Sequence, residues 1–226
     1  MTRLLVLVEG DSEELFVQTI LAPRLEIFGV YAHATGVVSK RLASGKKLTG
    51  GNLWANVQLS LRPLLADSDA WVTTMLDFYG LPTDFPGVSR DAVTGGTARE
   101  RVQRVEAALK ESVGSGETTR RFIPFIVLHE FEAWYFTAPD KVANYYGRID
   151  VSALMTCAVQ EAGGPENINH GKNTHPSKRL ESYGMGFRKT SAVSVLKDIG
   201  LDAIRAVCPH FDGWLQRLEG LGGGTP

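Results

Sequence analysis

Read from its first residue, the chain alternates short apolar runs with amphipathic stretches. Residues 3–8, Arg-Leu-Leu-Val-Leu-Val, are too short for a helix and rich in Leu and Val, which predicts a buried strand. Glu9-Gly10-Asp11-Ser12-Glu13-Glu14 ends that run. Gly10 permits a tight turn, and Asp11 or Ser12 can cap the helix that follows. Leu15, Val17, Ile20, Leu21 and Leu25 then recur at helical spacing. Residues 30–38 read as a second strand weakened by Gly36, and a basic polar loop with Lys40, Arg41, Lys46 and Lys47 comes next. A helix over 52–66 leads to an apolar, β-branched strand over 70–76 that stops at Asp77. Residues 78–87 carry two Pro and two Gly and predict a long loop, of a kind that is usually functional or a lid. A charged helix over 97–112 precedes a strand over 122–128, which runs into His129-Glu130-Phe131-Glu132-Ala133-Trp134. Trp134, Tyr135 and Phe136 are expected in the core. After residue 138 the strand signals fade into short helices separated by Gly, Pro and Asn.

Strands that alternate with helices predict parallel pairing and an α/β fold. The expected organisation is a mainly parallel sheet flanked by helices over residues 1–138, a C-terminal helical extension over 139–221, and a frayed tail over 222–226. Composition leaves this picture intact: of 226 residues, 22% are charged and 43% hydrophobic, within the ordinary globular range. The net charge of −1 removes any global basic excess, so nucleic-acid binding would need a local patch. Cys157 and Cys208 are far apart and belong to no ligand-spaced cluster, which predicts a reduced, cytoplasmic protein. No apolar run approaches the roughly 20 residues of a membrane span, so no membrane partner is expected.

Several chemistries lack their signature. Ser44-Gly45-Lys46-Lys47 has neither the earlier glycine nor the hydroxyl of a phosphate-binding loop. There is no nucleophile elbow and no dinucleotide fingerprint. His129, His170 and His175 have no Cys or His partner at zinc spacing.

What remains is acidic. Glu9, Asp77 and Glu130 with Glu132 all fall where a predicted strand ends. Strand ends of a parallel sheet share one rim, where open α/β sheets place their chemistry. Carboxylates gathered there repel one another unless a cation or protons intervene, and their oxygens suit a hard cation. Glu9, Asp77 and Glu130 are therefore the expected principal ligands of Mg²⁺ or Mn²⁺ in phosphoryl chemistry, with Glu13 and Glu132 assisting. The plainer alternative makes Glu9 a solvated loop acid, and Glu13 and Glu14 helix-dipole partners. Glu130 and Glu132 face one side only if the strand continues through them. Basic residues offer the complement. Lys172, Lys178 and Arg179 lie in the segment 170–179, and Lys46 and Lys47 in the earlier loop; all five are expected to contact nucleic acid. Lys178 could also neutralise charge in a transition state, or simply belong to a solvated turn before a helix starting at Ser177. Tyr79 and Phe85 could stack on bases or plug a small core.

The opening Val8-Glu9-Gly10-x-x-Glu13 resembles the first motif of Toprim domains, shared by primases, topoisomerases and the overcoming-lysogenization-defect nucleases. In that family a later strand ends in Asp-x-Asp; here Asp77 matches the first aspartate and Tyr79 takes the second position. Leu76 to Pro82, His129 to Ala133 and Pro176 to Leu180 together are similar to an uncharacterised bacterial Toprim-like family. That resemblance implies a Toprim-like fold and a metal-dependent nuclease, with Glu9, Asp77 and Lys178 as catalytic residues. It also implies a nucleic-acid substrate, DNA before RNA, and a neighbouring ABC- or AAA-type ATPase in phage-defence loci. A partner subunit without catalysis is the alternative, and Tyr79 is the feature that supports it.

Overall fold

The computed structural model of the chain describes residues 1–41, 47–49, 54–88, 95–168, 171 and 173–223. Two compact units make it up, one of Met1–Val127 with Gln216–Pro226 and one of Leu128–Leu215. Where the sequence reading put the change at residue 138, the units part between Val127 and Leu128. Among the described residues no helix is long and apolar enough to cross a membrane.

The first unit is built on the expected parallel sheet. β1 (Thr2–Val8) pairs with β2 (Val30–Gly36) on one side and β5 (Ala70–Asp77) on the other. Leu4, Val6, Leu7 and Val8 are fully buried, which is why this strand reads as an unbroken apolar run rather than an alternating one. Between β1 and β2 the chain forms α1 (Asp11–Phe16), a π-helical turn over Val17–Leu21, and α2 (Ala22–Glu26). The turn has a cause in Pro23, which supplies no N–H and whose ring would crowd the carbonyl four residues back. Ala22 instead bonds back to the Val17 carbonyl, five residues away.

Two local expectations are corrected in this stretch. The helix cap is Gly10 rather than Asp11 or Ser12, and Glu13 at the third helical position accepts the Gly10 N–H at 3.1 Å. The basic loop after β2 is a two-stranded antiparallel ribbon, β3 (Val38–Arg41) with β4 (Lys47–Thr49). Its tip, including Lys46, lies outside the described residues.

The helix α3 (Trp54–Ala66) follows and then β5, whose last residue is Asp77. The loop after β5 is not a free lid over its described part. Phe78 and Phe85 are buried, Phe85 packs edge-on against Trp54 with ring centroids 5.1 Å apart, and so plugs the core as one of the two readings had it. Gly87, at φ 77°, lies so close to the next helix that a Cβ would meet the Val105 Cα at 2.9 Å. That helix, α4 (Ala98–Ser112), opens on a reciprocal cap between Thr97 and Glu100, and the short α5 (Glu117–Arg120) follows it.

The strand expected over 122–128 is broken in two, β6 (Phe122–Ile123) and β7 (Ile126–Val127), both parallel to β5. The break is Pro124, which cannot donate to a ladder. Side chains replace the missing ladder bonds. Thr73 Oγ1 donates to the Ile123 carbonyl at 2.5 Å, and Thr74 Oγ1 exchanges bonds of 2.9 Å with the carbonyl and amide of Phe125. Glu106 of α4, itself buried, accepts the Ile126 N–H at 2.9 Å.

The chain end returns to this unit. Thr2 Oγ1 donates to the Leu221 carbonyl at 3.1 Å, and Arg24 pairs with Glu219 at 2.8 Å. Gly222, expected in a frayed tail, is packed: a Cβ built there falls 1.6 Å from the Phe28 carbonyl oxygen. Neither backbone can yield cheaply. Gly222→Ala is expected to lower stability by about 1–3 kcal/mol, the usual cost of overpacking, while the same change at solvent-facing Gly220 costs little. Urea unfolding of the two variants checks this, and equal midpoints would count against the packing described.

The second unit is helical. Its centre is a 3₁₀ stretch, Phe131–Thr137, in which Phe131 to Phe136 are all buried. α6 (Pro139–Tyr145), α7 (Ile149–Ala162), α8 (Pro176–Ser182), α9 (Ala192–Ile199) and α10 (Leu201–Val207) pack around it. Trp134 tilts against Phe131 at 5.1 Å and against Phe211 at 4.7 Å. Phe211 lies in α11 (Pro209–Glu219), whose residues up to Leu215 belong to this unit.

Candidate active site

The parallel register decides what the acidic residues can do. Val8 is level with Gly36 of β2 and Met75 of β5, so β1, β2 and β5 finish at one rim. Glu9 is the first residue past β1, and Asp77 the last of β5. Both are half-buried, and the Glu9 carboxylate accepts the backbone N–H of Asp77 at 3.3 Å. Two acids 68 residues apart in sequence thus meet at adjacent strand ends. The bond also orients Glu9, because an amide on the neighbouring strand holds one of its carboxylate oxygens.

Glu13 lies in the same unit, and one of its oxygens is turned onto the Gly10 amide. That bond closes the turn joining β1 to α1, a helix-entry role that differs from an outward-facing ligand. Among the described residues, no group of three or more His, Cys, Asp and Glu side chains is placed to hold a metal ion.

Glu130 and Glu132 belong to the second unit, and the continuing strand that would align them does not form. β7 ends at Val127, and His129 adopts φ 66°, the one non-glycine residue with positive φ among the described residues. From Phe131 the backbone turns as a 3₁₀ helix. Glu130 is buried and accepts two bonds at the start of α8, from the Ser177 N–H at 2.9 Å and the Ser177 Oγ–H at 3.2 Å. One carboxylate oxygen meets an orphan amide of a helix start, at the end that favours negative charge. Glu132 is buried near Tyr135, whose hydroxyl is pushed far above its ordinary pKa by burial first, then by Tyr146 and by the Glu132 charge.

The basic residues are also placed. Lys178 is an exposed residue of α8 in an ion pair with Glu181 at 2.5 Å, and Arg179 donates to the Thr174 carbonyl at 2.7 Å. Exposed pairs of the first kind contribute little to stability. α8 starts at Pro176 with His175 as its cap, one residue before the expected Ser177. His170 and Lys172 lie outside the described residues. Tyr79 is 42% exposed, two positions beyond Asp77, and so differs from its buried loop neighbour Phe85.

Sequence reasoning missed two buried acids that organise backbone, Glu106 and Glu166. Glu166 accepts the N–H groups of His210 and Phe211, both at 3.0 Å, at the start of α11. Each could only be found by knowing which distant amide it serves.

Both cysteines are free, with Cys157 exposed and Cys208 buried. Burial holds the Cys208 thiol far above its ordinary pKa. The Cys157 thiol is also raised, first by its hydrogen bond to Glu161 at 3.4 Å and then by that residue's charge. Because the thiolate is the reactive form, native labelling at neutral pH is expected to modify Cys157 slowly and to leave Cys208 until unfolding. Glu161→Gln is expected to speed the first phase. A native protein that gives up two thiols at once would contradict the burial of Cys208.

A family model described as a domain of unknown function (DUF4276) matches residues 8–219. No curated protein matches the chain. Among solved structures, the C-terminal region of the Burkholderia pseudomallei OLD protein is similar, with 16% identity and a TM-score of 0.43 over 98% of this chain and 99% of that one.

Proposed function

The chain belongs to the DUF4276 family, and we propose that this member is a divalent-metal-dependent nuclease whose chemistry centres on Glu9 and Asp77. The supporting observation is the bond from the Asp77 amide to the Glu9 carboxylate, which draws two acids together at adjacent ends of parallel strands. Their donor chemistry fits Mg²⁺ or Mn²⁺. Mg²⁺ typically takes one or two carboxylates and fills its remaining positions with water and substrate phosphate, so a third protein acid is not required. Glu9 and Asp77 would hold the ion, which when bound would supply charge for activating water and steadying the departing oxygen. The chain's own part is positional. The β5 backbone fixes Asp77, the amide of Asp77 fixes Glu9, and the Gly10–Glu13 bond fixes the turn that carries Glu9 to the rim. Exposed Tyr79 offers a face on which a base could stack beside the acids.

A DNA-binding subunit without hydrolysis is the second reading. Tyr79 at the position of the second Toprim aspartate favours it, as does the lack of a three-acid group among the described residues. Plasmid cleavage separates the two. Nicking by wild type in Mg²⁺ or Mn²⁺ that stops with EDTA and with Glu9→Ala or Asp77→Ala supports the nuclease, whereas equal nicking by all three proteins rejects it. The ATPase partner implied by the family resemblance belongs to the same proposal. Cleavage that needs the ATPase still assigns the chemistry to this chain if Glu9→Ala abolishes it.

A further inference from the structure

We propose that Glu106 is a positioning residue for Asp77, acting on the rim through β7; its effect on cleavage rests on the nuclease reading, and its effect on the backbone does not. The amides at the end of β5 point alternately to the two neighbouring strands. The Asp77 N–H goes to the Glu9 carboxylate on the β1 side at 3.3 Å. The next, of Phe78, goes to the Val127 carbonyl on the β7 side at 3.1 Å. Asp77 therefore hangs between two acceptors, with its Cα between the two amides that make those bonds. When either acceptor moves, the Asp77 backbone and its carboxylate move with it.

The two acceptors differ in how firmly they are held. Glu9 follows a strand of seven residues. Val127 belongs to a strand of two, in register with Leu76 and Asp77 and lying just past Pro124. So short a strand has almost no ladder of its own. Val127 turns its carbonyl to β5, and Ile126 turns its N–H to the Glu106 carboxylate, which accepts it at 2.9 Å. Glu106 is 8% exposed and lies on α4 beside the fully buried Val105. A carboxylate is costly to bury without donors, and an apolar residue in its place would leave the Ile126 amide without this acceptor. The acid ties β7 to a helix of 15 residues. A second contact repeats the link: at Gly87, where the loop after Asp77 comes back, a Cβ would meet the Val105 Cα at 2.9 Å and the Arg104 carbonyl at 3.2 Å. α4 thus holds both the strand beside Asp77 and the far end of the loop that leaves it.

The test uses the full chain and two readouts. In metal-free protein, Glu106→Ala is expected to speed hydrogen exchange at the Ile126 and Phe78 amides, followed by NMR, while the β1 amides keep their protection. On supercoiled plasmid it is expected to raise the Mn²⁺ concentration for half-maximal nicking by about 10–100-fold, the usual cost of losing a group that orients a ligand. Glu106→Gln keeps an acceptor oxygen and is expected to stay near wild type in both. Thr73→Val, which removes a hydroxyl bond between β5 and β6, is expected to lower the melting temperature without moving the Mn²⁺ midpoint. That control separates position from a general loss of stability. A midpoint unmoved in Glu106→Ala, or moved equally in Thr73→Val, overturns the assignment. So does a shifted midpoint in Glu106→Gln with both amides still protected, because charge rather than position would then be at work. If the alanine variant does not fold, Glu106→Asp takes its place: it withdraws the carboxylate by one methylene and is expected to shift both readouts the same way, and wild-type values overturn the proposal. Nicking by Glu9→Ala would sink the nuclease reading and leave the exchange result standing.

Discussion

Removing either acid at the rim is expected to lower metal-dependent cleavage by about a hundredfold to a thousandfold, the usual cost of deleting one preorganised charge from a reacting centre. Glu9→Ala and Asp77→Ala should each do this with little change in melting temperature, because both side chains are half-buried and neither is packed in the apolar core. Their isosteric variants carry more information. Asp77→Asn keeps the size and the backbone amide that holds Glu9, so it tests the charge alone, and it should be nearly as inactive as Asp77→Ala. Glu9→Gln can still accept the Asp77 N–H through its carbonyl oxygen and should be equally silent in cleavage. Lys178→Ala should cost less than either acid, since its ammonium is already engaged with Glu181. Nicking rates on supercoiled plasmid at saturating Mn²⁺ give the comparison. If the isosteric variants retain wild-type rates, these carboxylates do not carry the chemistry.

The second large effect concerns stability. Glu166 is buried and meets two backbone amides at the head of α11, and Glu130 meets an amide and a hydroxyl at the head of α8. Hydrogen bonds to charged groups contribute about 1.5–3 kcal/mol each, and a buried donor left without its acceptor also carries a desolvation penalty. Glu166→Ala and Glu130→Ala are therefore each expected to lower unfolding free energy by about 2–4 kcal/mol, a large share of a typical domain's stability. The glutamine variants keep one good acceptor oxygen and should lose about half as much. Denaturant unfolding with matched slopes provides the measurement. For Glu130 the result also bears on function. A loss of stability shared by Ala and, in part, by Gln identifies a structural staple, whereas full stability with lost cleavage would return this acid to the list of reacting groups.

The legible and illegible parts of the molecule divide on one physical line. Strand β1 could be read because burial on both faces forces an unbroken apolar run, and Asp77 because a β-branched run ends abruptly at it. Parallel pairing then made Glu9 and Asp77 neighbours by topology alone. Glu130 and Glu132 could not be placed this way. Their orientation depended on whether the strand continued, and the backbone at His129 turns into the left-handed region instead. The break at Pro124 was passed over in favour of one strand across 122–128, and its repair by Thr73, Thr74 and Glu106, which lie far away in sequence, carried no signal at all. The basic ribbon was hidden for a different reason: Lys is a poor strand former, and cross-strand pairing overrides such local preference. Gly10, and not its polar neighbours, caps α1 because Glu13 reaches back to its amide.

The interrupted strand at Pro124 moves the work of cohesion from backbone to side chains. A continuous ladder can be made by almost any sequence, because only main-chain groups take part. Here two short pieces on either side of an imino acid are held by the Thr73 and Thr74 hydroxyls and by the Glu106 carboxylate. That margin of the sheet therefore depends on three particular residues, where its neighbours depend on none.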